Sequence, residues 1–126
     1  MAEPNIEKEL RESCESIRDD LQAIYDFMQT DDYYKVEDPW EDERTLEHYL
    51  QDAFDVEYMI GGIGDYRGVE VLLACGGPNI YIDTRSAYIK GGWGSTRVEV
   101  PISYDVSDMV DDYYEEQFRW SKETWK

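Results

Sequence analysis

The sequence predicts an α+β fold. An antiparallel sheet of four to five strands, over about residues 56–102, is packed by a long N-terminal helix, a short second helix and a C-terminal helix. Three observations predict it. Apolar residues recur at a helical period through the first thirty positions. From Val56 the period changes to two and holds, broken by glycine clusters, as far as Ile102. After Ser103 the helical period returns. The breaks between strands are short, which favours antiparallel pairing with the helices gathered on one sheet face. A length of 126 residues suits one domain.

Ile6, Leu10, Cys14, Ile17, Leu21, Ile24 and Met28 are spaced by 4, 4, 3, 4, 3 and 4 residues. That is one face of a helix from about 5 to 29, with acids between the apolar positions and Pro4 suited to its first turn. Residues 30–44 carry no clean period, and Pro39 ends any regular element before it. Asp38 and Glu41 have the spacing of a capping box around Pro39 and Trp40; Thr45 is a rival N-cap. Leu46, Tyr49, Leu50, Ala53 and Phe54 mark a second helix reaching about Asp55.

VEYMIGGI, from Val56, reads as a strand entering a glycine turn at 61–64. The second strand is RGVEVLLAC (67–75), with Val69, Val71, Leu73 and Cys75 on its inner face. NIYIDT (79–84) turns Ile80 and Ile82 inward; SAYIK (86–90) is short; TRVEVPI (96–102) turns Val98 and Val100 inward, and Pro101 marks an end or an edge. Ser103 or Asp105 caps a last helix carrying Val106, Met109, Val110, Tyr113 and Gln117 as far as about Trp120.

Two glycine clusters raise the question of a phosphate loop. Such a loop runs from a strand into a helix and carries a lysine at a fixed place. CGGPNIYIDT (75–84) has strand on both sides and no base before Arg85, so Gly76, Gly77, Pro78 and Asn79 read as a hairpin turn, with asparagine suited to a left-handed position. GGWGS (91–95) also lies between strands, and Trp93 at its tip is either a lid on the core or an exposed contact. His48 is the single histidine and has no nucleophile partner in a motif. Cys14 and Cys75 fit no zinc spacing and read as two buried small hydrophobes in a reducing compartment. Asp65, Glu70 and Asp83 near the sheet are the one carboxylate set that suggests a metal-dependent nuclease, but such an enzyme would approach phosphate against its own charge. The reading is therefore a non-enzyme with no cofactor.

Twelve basic residues against thirty acidic ones leave a net charge of −18. Residues 1–57 carry 19 acids and 5 bases, residues 58–104 carry 4 of each, and residues 105–126 carry 7 and 3. Such a chain repels nucleic acid and anionic membrane and attracts basic surfaces. No apolar run is long enough to span a membrane, and MAEPNIEKEL has no secretory pattern, so the expected place is the cytoplasm. The acids are interleaved with aromatics, which supply anchors once water is expelled. The expected partner-binding residues are Asp31, Asp32, Glu37, Asp38, Trp40, Glu41, Asp42 and Glu43, and on the last helix Asp111, Asp112, Glu115 and Glu116. The expected partner is a basic nucleic-acid-binding protein, with neither nucleic acid nor membrane bound directly. An anti-restriction DNA mimic, an antitoxin-like partner of a basic protein and a homodimer stay open.

RESCESIRDDLQAIYD (11–26), DAFDVEYMIGG (52–62) and RGVEVLLACGGPNIYIDT (67–84) resemble a family of small acidic proteins carried by phages, plasmids and conjugative elements of Gram-positive bacteria. The hairpin string is the most specific part. VEVPISYDV (98–106) departs from the family pattern, which has W-L-P-S-E before the last helix. The resemblance implies a bacterial host cell and an anti-CRISPR inhibitor of a Cas nuclease, with Cas9 as the first candidate. It transfers no contact residues.

Overall fold

In the computed structural model, which describes residues 3–124, the apolar stripe of the first helix faces the sheet and the core, with Ile6, Ile17 and Met28 half-buried. α1 (Glu3–Met28) places Leu10, Cys14, Leu21 and Ile24 in the core. Its acids lie outside, some tied to neighbours one turn away, Arg11 to Glu7 and Arg18 to Glu15. Such exposed pairs stabilise a helix by about 0.2–0.5 kcal/mol each, so the buried stripe decides its position.

A 3₁₀ helix follows at Asp31–Lys35, and then α2 (Leu46–Leu50). Asp38 opens a turn rather than a helix: its carboxylate accepts from the Trp40 N–H at 3.1 Å and its carbonyl from the N–H groups of Glu41 and Asp42. Thr45, the rival, is the cap. It is fully buried, and its hydroxyl oxygen accepts from the His48 N–H at 3.2 Å. α2 stops short of Asp55 because the Phe54 N–H already donates to the Leu72 carbonyl at 2.8 Å, so the chain has joined the sheet. Phe54, expected on the core face of that helix, is exposed in consequence.

The strands are β1 (Asp55–Ile60), β2 (Tyr66–Ala74), β3 (Asn79–Asp83), β4 (Tyr88–Trp93) and β5 (Thr96–Pro101). They form one antiparallel sheet in the order β1-β2-β3-β4-β5. Across one face Val71 stands opposite Ile82, Ile82 opposite Ile89, and Ile89 opposite Val100, all four buried. A register shift between Leu72 and Ala74 breaks the alternation of β2. Leu73 is then only half-buried, and Cys75 is exposed rather than buried like Cys14. The 76–79 turn is the expected hairpin, with Gly76 and Gly77 at positive φ and the Gly77–Pro78 bond cis. Asn79 contributes differently from the expectation: its side-chain oxygen accepts from the Gly76 N–H at 3.0 Å.

The second glycine cluster is mostly strand. Gly91, Gly92 and Trp93 belong to β4, and the turn is at Gly94 and Ser95. Gly91 sits where α1 rests on the sheet; a Cβ there would come within 2.9 Å of Cys14 Sγ and of Leu10 Cδ1. Trp93 is the last residue of β4 and is 39% exposed, which favours the exposed contact over the lid. Pro101 ends β5, an edge strand.

α3 (Tyr104–Thr124) is capped by Ser103, whose hydroxyl oxygen accepts from the Val106 N–H at 3.2 Å. It buries Val106, Met109, Val110 and Tyr114. α1 lies across β4 and β5, α3 lies across β2, and the two helices touch. A polar clasp fixes α3 to the sheet: Asp111 Oδ1 accepts from the Tyr66 hydroxyl at 2.5 Å and the Thr84 hydroxyl at 3.1 Å, and Ser107 Oγ donates to the Thr84 carbonyl at 2.9 Å. Burial and the Asp111 carboxylate push the Tyr66 phenol far up. Among the described residues no helix is long and apolar enough to cross a membrane.

Candidate protein-binding groove

The helical period puts two kinds of residue on one side of α3. Asp105, Asp108, Asp112 and Glu116 recur three or four residues apart, and Met109 and Tyr113 run beside them. Opposite stand Tyr25 and Met28 at the end of α1, Tyr33 of the 3₁₀ helix, and Leu46 and Glu47 of α2. These four elements enclose a groove of about 420 Å³. Its floor is aromatic, thioether and aliphatic, from Tyr25, Tyr33, Tyr113, Met28, Met109 and Leu46; its rim is five carboxylates, Glu47, Asp105, Asp108, Asp112 and Glu116. Among the described residues no basic one lines it. Among the described residues none of the five is in an ion pair with Lys, Arg or His.

The crowding has electrostatic consequences. Burial and then the neighbouring Asp108, Asp111 and Glu115 hold the Asp112 carboxyl above its ordinary range. Burial and the Glu47 charge raise the phenols of Tyr33 and Tyr113. The groove is a concentration of negative charge that, among the described residues, forms no ion pair, over a surface that favours flat or apolar contact.

The four acids expected on the last helix divide by face. Asp112 and Glu116 line the groove. Asp111 is committed to Tyr66 and Thr84, and Glu115 is bonded to Arg119. Of the 31–43 segment only Tyr33 enters the groove. Asp32 pairs with Lys35 at 3.3 Å, and Asp38 shapes its turn. Asp42 holds Arg44 at 2.8 Å; bonding to Arg44 keeps its carboxyl down at about 2 and sets the guanidinium 4.4 Å over the Phe27 ring. Glu43 borders a separate hollow with Asp20, Phe27, Arg44, His48 and Tyr49. Asp31, Glu37 and Glu41 are exposed, as is Trp40 at 49%.

Asp65, Glu70 and Asp83 are not assembled into a metal site. Asp65 pairs with Arg67 in the turn between β1 and β2. Glu70 does stand opposite Asp83 in the sheet. Yet Asp83 is already engaged on both oxygens: Oδ1 accepts from the N–H groups of Arg85 and Ser86, and Oδ2 from Lys90 at 3.0 Å. Among the described residues no three His, Cys, Asp or Glu are grouped to hold a metal ion. A hollow of about 590 Å³ near β4 and β5 gathers Arg11, Lys90 and Arg97. Each has a partner within the fold: Glu7 for Arg11, Asp83 for Lys90, and the Gly94 and Thr96 carbonyls for Arg97.

Glu47, Asp105 and Asp108 were not among the expected contact residues. The signal for the last two was present in the spacing of α3; Glu47 comes from an element whose position only the tertiary structure fixes. Comparison with protein-family models, with curated proteins and with solved structures returned no match.

Proposed function

We propose that this chain is a non-enzymatic binding protein that occupies the cationic groove of a nucleic-acid-processing enzyme. Its first candidate partner is a Cas nuclease such as Cas9, in a bacterial cytoplasm, where occupation would block target DNA or guide RNA. The observation that supports this reading is the carboxylate rim, no member of which is in an ion pair among the described residues. A protein that left five such charges unpaired around an apolar floor gains most by meeting a basic surface, because both partners then exchange repulsion for attraction. The resemblance of the hairpin string to the mobile-element family selects the partner to test first. The experiment is retention of Cas9–guide RNA complexes of several types by the immobilised chain at low salt, with target cleavage measured alongside. Retention together with loss of cleavage is expected; no retention of any type would overturn the choice of partner. Retention of a restriction complex instead would keep the acidic-surface mechanism and replace the target.

A further inference from the structure

The groove is narrower in its chemistry than an acidic surface. We infer that it takes an arginine side chain of the protein partner, seated between the aromatic floor and the carboxylate rim; this rests on the binding function proposed above. Three features select arginine. Carboxylates from two helices, Glu47 on one wall with Asp108 and Asp112 on the other, suit a planar fork of donors. Tyr25, Tyr33 and Tyr113 line the groove, and an aromatic ring is a surface on which a guanidinium stacks and a hydrated ammonium does so less well. The fold already builds one such arrangement on the other side of α1, where Asp42 holds the Arg44 guanidinium over Phe27. That internal seat is filled; the groove has the same ingredients without the cation.

Methionine methyl NMR on the full chain reads this directly, because Met28 and Met109 line the groove and Met59 lies in β1, outside it. Acetylated tri-arginine and tri-lysine peptides are the probes. Tri-arginine is expected to shift the Met28 and Met109 methyls saturably, leave Met59 in place, and bind about fivefold to tenfold more tightly than tri-lysine. The double variant Asp108→Asn, Asp112→Asn, which removes repulsion and keeps shape, is expected to weaken tri-arginine about tenfold. Equal affinity for the two peptides would overturn the inference. So would an absence of saturable binding, or a shift of the Met59 methyl with those of Met28 and Met109 unmoved. Retention of a Cas9–guide RNA complex by wild type and double variant alike would remove the groove and leave the acidic-surface function standing. Failure of the wild type to retain any basic partner would remove that function itself.

Discussion

Asp111 and Asp112 are neighbours in the sequence with unlike tasks. A turn of about 100° per residue separates them, so Asp111 meets Tyr66 and Thr84 while Asp112 faces the groove. Read as a string, 111, 112, 115 and 116 look like one cluster; projected on a helix, they are two pairs. Asp111→Ala removes the shared side-chain acceptor of the Tyr66 and Thr84 hydroxyls, which keep longer bonds to the Asp111 and Val69 carbonyls, and is expected to destabilise the fold by about 0.5–1.5 kcal/mol, read by chemical denaturation. Asp112→Asn is expected to raise the melting temperature at neutral pH. Its folded carboxyl sits above 3.8, so ionisation costs stability above that folded value, and the advantage should vanish as pH falls through it. Asp83 has the opposite sign. Burial alone would raise its carboxyl, but Lys90 and the Ser86 N–H bring it below 3.8. Its contribution is present above pH 3.8 and lost as pH falls through the lower folded value. Asp83→Asn should therefore lower the melting temperature at neutral pH, with the gap to wild type closing in strong acid.

At the scale of elements, most of the fold was legible. The period of 3.6 in α1 and α3 and the period of two in β3, β5 and β2 up to Val71 are consequences of one buried face, and burial leaves its mark in composition. The misreadings lie where a tertiary contact overrides a local pattern. Phe54 fits the stripe of a second helix, yet its N–H bonds Leu72. Gly91 and Gly92 resemble a loop, yet β4 continues through them, and at Gly91 the missing side chain leaves room for α1. Gly91→Ala is accordingly expected to cost about 1–3 kcal/mol by overpacking, although alanine suits strands no worse than glycine. Thr45→Ala removes the cap of α2 and should cost about 1 kcal/mol, seen in the same denaturation curve. In the 31–43 segment, reversing Glu41 and Glu43 to lysine should leave the circular dichroism spectrum unchanged. Including Asp42 should not, because Arg44 and its seat on Phe27 depend on that carboxylate.

For the whole molecule, the charge of −18 was legible in the composition, and its skew toward the N-terminal half was legible in the order of residues. The groove was not, because it is made by four elements whose meeting is set by the sheet beneath them. Glu47 and Glu116 are 69 positions apart and line the same cleft. Total charge sets how fast a basic partner is drawn in and how strongly salt weakens that approach; the rim carboxylates, which form no ion pair among the described residues, set where it is held. The most direct test is the affinity of the chain for a Cas9–guide RNA complex across a salt series, compared between wild type and a variant with Asp108→Asn, Asp112→Asn and Glu116→Gln. The account predicts tight association at low salt, a steep loss as salt rises, and a weaker, flatter dependence for the variant. An affinity indifferent to salt and to those three neutralisations would contradict it.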